Sequence, residues 1–459
     1  MGNGRTHRPE LDPQKCGACG GCTWRCPATV LPPLRREKGS LRGALYAARP
    51  YPGAPAEKPP CAMACPLGQD VPAYVGAVAR GDLEAAARII RASNPLPSAC
   101  GRLCLASCMR ACSRASIDEG VDIRGLKRAA VDAIPAKAGV AAKSLGLAVA
   151  VVGAGPAGLA AAQRLAELGA SVTVLEAGEI AGGMLADAVP EFAMPSGPLA
   201  ADVAAIAASG VSIRTGVRVG KDVSIAALER EYAAILVATG ARRGVVPALP
   251  GRDLGGVVDA VSFCRGARRD PGAKVAGDVV VLGGGQAALM TARLALRLGA
   301  SSVSVMHPAP RAAWPAGEDA LRAAEKEGVA ILSERRAIAF EGTDGAVRAV
   351  TAQAVKVGAK DGVGRVALAA GGAKQSLPAR TAVAAIDRRP DDGLALEGVA
   401  RGVLGSFAVD GGYRLSRPRW YAAGEAATGA ATLVDSMATG RRAAESLVAD
   451  LSAKTGGSR

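Results

Sequence analysis

The stretch LAVAVVGAGPAGLAAAQRLAELGASVTVLEAG, residues 147 to 178, decides the fold. An apolar, β-branched run leads into a G-x-G-x-x-G turn, and a helix-like Ala/Leu pattern and a second apolar run follow it. The turn glycines are Gly153, Gly155 and Gly158. In such a unit the glycines permit a tight turn, the approach of a pyrophosphate to backbone N–H groups, and close packing of helix on strand. Glu176 ends the second run, where a carboxylate can bind ribose hydroxyls, so the stretch predicts a dinucleotide site.

A second stretch, GDVVVLGGGQAALMTARLALRLGASSVSVMHP at residues 277 to 308, aligns with the first without a gap. Its turn reads G-x-G-x-x-A and consists of Gly283, Gly285 and Ala288. Met306 stands at the position of Glu176, so no carboxylate repels a 2′-phosphate there, and Arg311 follows where it can meet one. This favours NADP over NAD. The alternative is that Arg311 and His307 are ordinary loop residues.

Two dinucleotide sites in one chain imply a flavin in one and a nicotinamide in the other, because hydride passes directly between these rings. The central step then needs no side-chain acid or base, so no catalytic residue is predicted. Apolar runs that alternate with helix patterns are typical of parallel sheets.

The cysteines are concentrated before these units. Residues 16 to 27, CGACGGCTWRCP, have the spacing of a bacterial ferredoxin run, in which three thiolates hold one 4Fe–4S cluster and the fourth can reach a second. The predicted ligands in this run are Cys16, Cys19, Cys22 and Cys26. The alternatives are zinc, buried free thiols, or disulfides, and the last is disfavoured because no apolar leader precedes the run.

A second group of cysteines recurs every four residues, at Cys100, Cys104, Cys108 and Cys112. On one unbroken helix they would extend over about 18 Å, too far for one compact cluster. Either the helix breaks near Gly101, or the thiols are divided between two clusters with help from Cys61 and Cys65.

The net charge of +15 suits an acidic protein surface, a membrane surface or nucleic acid. Aromatic residues make up 3% of the chain, and no basic run is interleaved with them, so we expect no nucleic-acid binding. The longest apolar stretch is interrupted by glycines and a proline, so no membrane span is predicted. We expect a cytoplasmic protein in a hetero-oligomer, with an acidic redox partner or a large catalytic subunit.

Six motifs in order resemble those of the iron–sulfur flavoprotein oxidoreductases, specifically the small-subunit family of NADPH-dependent glutamate synthase. They are CAMACPLGQDV, NPLPSACGRLC, GAGPAGLAAAQRLAELG, AGGMLADAVPEF, ATG and AAGE…TGAATLVDSMATGRRAA. Ferredoxin:NADP transhydrogenase and the N-terminal part of dihydropyrimidine dehydrogenase are similar. The resemblance implies FAD at the first turn and the nicotinamide cofactor at the second. It also implies further FAD-binding residues, namely Gly183, Met184, Thr239, Gly240, Gly424, Glu425 and Thr432.

The chain departs from the family pattern at several positions. Glu425 stands where the family has Asp, Gln286 where it has Asn, and the residues from Met306 on replace a Tyr-Arg-Arg run. The Cys-x2-Cys pair that normally precedes Cys61 is missing. We hypothesise that the segment at 16–26 replaces it, so that ten cysteines serve two 4Fe–4S clusters. Three clusters with non-cysteine ligands are the alternative.

The expected fold class is α/β, with two Rossmann-like dinucleotide-binding domains, for FAD and NAD(P), and an N-terminal, mainly α-helical iron–sulfur domain. The predicted bounds are 1–48 for a ferredoxin-like cysteine segment, 49–140 for the helical iron–sulfur domain, 141–250 and 381–459 for the two parts of the FAD domain, and 251–380 for the NAD(P) domain.

The expected function is passage of hydride from NADPH to FAD and of single electrons through 4Fe–4S clusters to a partner, such as a glutamate synthase large subunit or a ferredoxin. The alternative is an electron-transfer scaffold that holds FAD and clusters without nicotinamide turnover. The departures within residues 283–308 suggest it.

Overall fold

A computed structural model describes residues 58–116, 118–136, 143–360, 366–390, 393–402 and 405–456. The predicted ferredoxin-like segment, with Cys16, Cys19, Cys22 and Cys26, lies outside these residues. Among the described helices, none combines the length and apolar character needed to cross a membrane.

The N-terminal domain is built from short helices, and aspartates cap the N-termini of three of them. Asp70, Asp82 and Asp122 are N-caps whose carboxylates each accept a hydrogen bond from the backbone N–H three residues later. The described helices are α1 (Pro60–Met63), α2 (Val71–Ala79), α3 (Leu83–Arg91), α4 (Pro97–Leu103), α5 (Ser107–Arg110) and α6 (Ile123–Ala133). Their apolar faces meet around Tyr74 and Ile90, which are fully buried.

The first Rossmann domain contains a five-stranded parallel sheet of order β15-β4-β1-β2-β3. Its strands are β1 (Ala148–Val152), β2 (Ser171–Leu175), β3 (Val211–Arg214), β4 (Ala234–Val237) and β15 (Trp420–Ala422). Its helices are α7 (Pro156–Glu167), α8 (Met184–Asp187), α9 (Ser196–Ala208), α10 (Ile225–Glu231), α14 (Glu425–Thr428) and α15 (Leu433–Gly456). Helix α15 packs so closely on α7 that a Cβ added at Gly440 would lie 2.1 Å from the carbonyl oxygen of Ala157.

The second Rossmann domain contains another five-stranded parallel sheet, of order β6-β13-β7-β8-β9. Its strands are β6 (Val257–Asp259), β7 (Asp278–Leu282), β8 (Ser302–His307), β9 (Ala330–Ser333) and β13 (Thr381–Ala384). Its helices are α11 (Ala260–Arg269), α12 (Gln286–Arg297) and α13 (Glu318–Lys326). The short strands β5 (Arg243–Gly244) and β14 (Arg388–Arg389) pair where the chain passes between the two domains.

An antiparallel sheet, which the sequence analysis did not predict, is inserted between β9 and β13. It consists of β10 (Arg335–Thr343), β11 (Ala346–Lys360) and β12 (Val366–Pro378). The first hairpin turns at Asp344 and Gly345, both with positive φ. Asp-Gly is a strong hairpin signal, so this turn could have been recognised.

The predicted α/β class, with two Rossmann-like domains and a helical N-terminal domain, is confirmed. One predicted boundary is moved by the sheet pairing. The division at residue 380 falls just before Thr381–Ala384, which pairs with β6 and β7 and so belongs to the second domain.

Candidate active site

The first glycine turn has the geometry that its spacing predicts. Gly153 has a φ of +106°, and a Cβ there would lie 2.6 Å from the carbonyl oxygen of Ala238. A Cβ at Gly158 would lie 1.9 Å from the carbonyl oxygen of Gly153, so only glycine lets α7 approach β1 this closely. Gly155 is the N-cap of α7, whose N-terminal N–H groups therefore point into the space above the turn.

Gly183 closes over this turn from the segment that follows β2. It has a φ of +57°, and a Cβ there would lie 2.7 Å from the Cα of Gly155. Gly424 approaches from the C-terminal part of the domain, where a Cβ would lie 2.5 Å from the Cβ of Ala157. The structure thus brings together glycines that are distant in sequence. Because they lack side chains, they leave room for a ligand above the turn.

Glu176 lies at the end of β2 and is 5% exposed. Its carboxylate accepts hydrogen bonds of 2.7 Å from the backbone N–H groups of Ala154 and Gly178. These bonds fix the carboxylate beside the glycine turn, the position at which a ribose would meet it.

Glu425 begins α14 and has a partner from the other side of the cavity. Arg388 of β14 donates to both carboxylate oxygens, at 2.9 Å from Nη1 and closer from Nη2, and the Ala431 N–H also donates, at 3.1 Å. Thr432 donates its hydroxyl hydrogen to Asp435. Glu425 is therefore paired with Arg388, and the predicted contact of Glu425 with FAD stays a prediction.

The second glycine turn repeats the first. Gly283 has a φ of +138°, and a Cβ there would lie 2.3 Å from the carbonyl oxygen of Ala385, while Ala288 is fully buried beneath the turn. Gly285 is the N-cap of α12. A Cβ at Gly284 would lie 2.5 Å from the His307 ring, so this imidazole lies directly against the turn.

The loop after β8 folds back over this turn. The His307 Nδ1 atom accepts a 3.2 Å hydrogen bond from the Ala309 N–H, and the ring lies 5.3 Å from that of Trp314. The Ala316 N–H donates to the Gly284 carbonyl oxygen at 3.0 Å. His307 is thus part of a packed arrangement beside the turn, and burial lowers the pKa of its imidazole.

Arg311 lies on the same loop, and its guanidinium is shared by two carboxylates. It donates to Glu318 at 3.0 and 3.1 Å and to Glu325 at 2.5 and 2.7 Å. These bonds raise the pKa of Arg311 further above its ordinary value, with Glu325 the larger cause. Exposed ion pairs of this kind contribute little to stability, so a phosphate can compete for the arginine.

One cavity of about 450 Å³ lies between the first glycine turn, the N-terminal part of α12 and the helical domain, and the glycines of the second turn are not among its lining residues. It is lined by residues of the first turn, of the N-terminus of α12 and of the end of α4. The sequence-predicted residues among its lining are Gly153, Gly155, Glu176, Gly183, Met184, Thr239, Gly240, Cys104, Glu425 and Thr432. Gln286, Met290 and Thr291 line it from the second domain.

The described cysteines of the helical domain lie on or just after three short helices. Cys61 is on α1, Cys65 follows it, Cys100 is on α4, Cys108 is on α5 and Cys112 follows α5. Cys104 is the C-cap of α4, with extended backbone. A helix break near Gly101 was one of the two alternatives, and α4 does end soon after it, at Leu103, where the chain turns at Cys104 to Ala106 and Ala106 has a φ of +51°.

Four of these thiols lie near Tyr74, whose hydroxyl is buried. Burial raises the pKa of Tyr74, and the nearby thiols of Cys108, Cys65, Cys61 and Cys100 raise it further. Within the described residues the Tyr74 hydroxyl has no hydrogen-bond partner. A buried donor without a partner beside several thiols fits a sulfur-rich group that can accept from it.

Cys100 and Cys104 are in direct contact. Cys100 donates a hydrogen bond to Cys104, which is the largest cause of a Cys104 pKa near 6, and Lys127 and Arg124 lower it further. Burial raises the pKa of Cys61 to about 11. In the described ranges no three His, Cys, Asp or Glu residues converge as for a single metal ion. A four-iron cube is wider and has thiolate ligands, so the donor chemistry fits a cluster.

The family models match most of the described chain. The model for pyridine nucleotide-disulphide oxidoreductases matches residues 147–444. The chain belongs to this family. The model for dihydropyrimidine dehydrogenase domain II, which holds a 4Fe–4S cluster, matches residues 54–138.

Several relatives are oxidoreductase subunits. The small chain of NADPH glutamate synthase from Azospirillum brasilense is 30% identical over 420 residues, covering 86% of this chain and 87% of the relative. The beta subunit of NADP-dependent formate dehydrogenase from Moorella thermoacetica is 36% identical over 418 residues, but these cover 59% of that subunit. A solved structure, Mycobacterium tuberculosis FprA with NADPH, has a TM-score of 0.59 over 68% of this chain and 86% of its own, at 19% identity, and shares the fold.

This member of the pyridine nucleotide-disulphide oxidoreductase family is an enzyme that uses FAD, NAD(P)H and 4Fe–4S clusters. The described residues fit the flavin dinucleotide, because the first turn, the Gly183 closure and the fixed Glu176 carboxylate leave a cradle that side chains would fill. The family relationship and the resemblance found in the sequence agree.

Asp187 joins the two Rossmann domains of this oxidoreductase. Its carboxylate accepts hydrogen bonds of 2.7 Å from Arg242 and from Arg265 of α11, and one of 3.2 Å from Arg269. Burial alone would raise the pKa of Asp187, but the bonds from Arg265 and Arg242 outweigh it and hold that pKa below its ordinary value. The nicotinamide domain is thereby fixed against the segment that carries Met184.

Sequence reasoning missed several residues of the site. Nothing in the sequence showed that Asp187 and Arg242 would pair, because they are 55 residues apart. Arg388 left no signal either. Lys127 did leave one: it occupies an apolar position of the α6 pattern, four residues after Ile123, and is buried.

Proposed function

We propose that this chain is the NADPH-oxidising subunit of a larger redox enzyme. It would pass reducing equivalents from the nicotinamide through FAD to 4Fe–4S clusters and on to a partner protein. Nicotinamide delivers electrons as a hydride and clusters carry them singly, so a flavin must stand between the two.

The observation that supports the proposal is a cavity that residues of three domains line together. Glycine-turn residues of the FAD domain, Gln286 and Met290 of the nicotinamide domain, and Cys104 of the helical domain all line it. Leu103 and Leu105 flank Cys104 and contribute apolar walls, which exclude water from the space around the reacting groups. In this proposal, hydride enters and single electrons leave through one shared cavity.

The residues have separate roles in this proposal. The N-termini of α7 and α12 bind the two pyrophosphates, Glu176 orients a ribose, and Arg311 binds a 2′-phosphate after release from its carboxylates. Thr239, Gly240, Gly424, Glu425 and Thr432 shape the remaining flavin site. The six described cysteines of the helical domain ligate iron.

The partner is proposed from the relatives. Their names include a glutamate synthase chain and a formate dehydrogenase subunit, each part of a larger assembly. The chain spans 59% of the formate dehydrogenase subunit and 42% of an NADPH-Fe(3+) oxidoreductase subunit of Geobacter sulfurreducens. The net charge of +15 favours a partner with an acidic surface, such as a large catalytic subunit or a ferredoxin.

Two clusters are proposed, with the thiols at 16–26 completing the ligand set. Iron content of anaerobically purified protein tests this number. About eight iron atoms per FAD supports two clusters, and about twelve supports three.

Anaerobic addition of NADPH tests the electron path. In the unaltered protein, flavin absorbance should bleach and an EPR signal of a reduced cluster should follow. In Cys104→Ala the flavin absorbance should bleach in the same way, but the EPR signal of the reduced cluster should be at least tenfold smaller. Cys264→Ala is the matched control, because Cys264 is a second cavity-lining cysteine whose thiol contacts Thr291.

The scaffold alternative predicts a different result. The observation that favours it is the engagement of Arg311 by Glu318 and Glu325, beside a second turn covered by His307. Absence of bleaching with both NADPH and NADH, in protein with a full complement of FAD, would establish the scaffold and refute the reductase.

A further inference from the structure

Lys127 is a buried cation in the middle of the cysteine-rich domain. It is 5% exposed and lies on the inner face of α6, with Ile123, Ala130 and Val131. Lysine is rarely buried to this extent, because burial removes the hydration of its ammonium. The loss is costly unless negative charge lies nearby to offset it. Among the described residues, the ion pairs do not include Lys127.

The groups around the Lys127 ammonium are an aromatic ring and thiols. Nζ lies 5.9 Å from the centre of the Tyr74 ring. Cys108 belongs to the same buried cluster as Tyr74 and Ile123. Helix α4, which bears Cys100, lies against α6 beside Lys127, because a Cβ at Gly101 would lie 3.0 Å from the Cα of Arg128. Cys104 is the C-cap of α4, so the helix of Lys127 packs against both cysteine-bearing helices, α4 and α5.

We propose that Lys127 is a fixed counter-charge that raises the midpoint potential of the cluster that Cys104 ligates. The proposal depends on the ligand assignment made under Proposed function. A four-iron cluster with thiolate ligands is anionic and becomes more negative by one charge when it is reduced. A nearby ammonium therefore stabilises the reduced form more than the oxidised form, and burial weakens the solvent screening that would otherwise cancel the effect.

The location gives this effect a function. Cys104 lines the flavin cavity between Leu103 and Leu105, so its cluster is the one placed to take electrons from the flavin. Raising its potential makes that first transfer favourable. Arg124, which donates to the Cys104 carbonyl oxygen at 3.0 Å, adds a second positive charge at the same end of the site. Lys127 is thus a positioning and tuning residue rather than a ligand.

An EPR-monitored redox titration of the purified, iron-loaded full chain tests the proposal. In Lys127→Met the ratio of reduced to oxidised cluster, measured at the midpoint potential of the unaltered protein, should fall at least tenfold. This corresponds to a midpoint potential lower by about 59 mV for a one-electron couple. Lys127→Arg keeps the charge and should change the ratio less than threefold. Arg128→Met is the control on the same helix, because its side chain is 56% exposed and should leave the ratio unchanged.

The outcomes separate charge from shape. A full iron content in Lys127→Met with an unchanged ratio would overturn the proposal. If Lys127→Met and Lys127→Gln both lose iron while Lys127→Arg keeps it, the cluster needs the positive charge and the proposal is supported. Loss of iron in Lys127→Arg as well would overturn it, since the shape of lysine would then be what matters.

Failure of the ligand assignment is recognised independently. If Cys100→Ala, Cys104→Ala and Cys108→Ala all retain their iron and their EPR signals, the assignment under Proposed function is wrong. If they lose iron while the Lys127 variants keep both iron and potential, the assignment stands and the inference about Lys127 fails.

Discussion

Replacing Asp187 with asparagine should loosen the nicotinamide domain from the FAD domain. The carboxylate is shared by Arg242, Arg265 and Arg269. Asparagine has nearly the same shape, but it is neutral and offers one acceptor oxygen. The change therefore removes the charge while it keeps the packing of α8.

The magnitude follows from the exposure and geometry of each pair. Two hydrogen bonds of 2.7 Å join Asp187, 15% exposed, to Arg242 and Arg265, which are 29% and 23% exposed. Bonds to charged groups contribute about 1.5–3 kcal/mol each. Arg269 is 70% exposed and contributes about 0–1 kcal/mol. Only Arg265 and Arg269 belong to the nicotinamide domain, so, allowing for the acceptor that asparagine retains, the loss across the interface is about 2 kcal/mol, which is about thirtyfold in the ratio of docked to undocked domains.

The domains keep other contacts, so they should not separate fully. Arg268 donates to the carbonyl oxygens of Val189 and Met194, at 2.7 and 3.3 Å. Arg297 stacks 4.2 Å from the Phe192 ring centre. We therefore expect flavin bleaching by NADPH to slow about tenfold in Asp187→Asn, because productive alignment of the two rings becomes less frequent.

Anaerobic stopped-flow measurement of flavin absorbance gives the rate, and the flavin content of the same sample shows that the FAD site is intact. Asp253→Asn is the matched control, since this carboxylate is 94% exposed and pairs with Arg252 at 3.6 Å. The reasoning would be refuted if Asp187→Asn bleached as fast as Asp253→Asn and melted at the same temperature.

Two further predictions concern carboxylates. Burial raises the pKa of Asp202 to about 7, so the free energy of unfolding should fall by about 4 kcal/mol as pH rises from about 4 through 7. The variant Asp202→Asn still accepts a hydrogen bond from Ser98. In denaturant titrations over that pH range, the variant should lack this pH-dependent part of the stability. A pH profile in Asp202→Asn equal to that of the unaltered protein would contradict this. Glu318→Gln combined with Glu325→Gln should release Arg311 and raise the kcat/KM ratio of NADPH to NADH about three- to tenfold, and an unchanged ratio would show that Arg311 does not bind the 2′-phosphate.

The glycine turns could be predicted from sequence because their chemistry is local. Gly153 and Gly283 need positive φ, and Gly158 needs close packing, and each requirement selects glycine at a fixed spacing. The alternation of strands and helices around them determined the fold class for the same reason. The antiparallel insertion was missed although Asp344 and Gly345 mark its first turn.

Other features depend on contacts between distant residues. The turn that separates Cys100 from Cys108 occurs at Ala106, which adopts a positive φ without being glycine, so no residue type marks it. Asp187 meets Arg269 across 82 residues of sequence, and Ser98 meets Asp202 across 104. Such pairs are fixed by how whole domains pack, and a single sequence carries no local pattern for them.

The connection between β2 and β3 has a central place in this architecture. It carries Met184 into the flavin cavity, Asp187 against the nicotinamide domain, and Asp202 against the N-terminus of α4, the helix that bears Cys100. The two aspartates share no partner, so their contributions should be nearly independent. In the proposed electron path, the input of hydride and the output of electrons would therefore depend on this one connection through different contacts. We expect Asp187 to act on flavin reduction and Asp202 to act on the position of α4, the helix that bears Cys100.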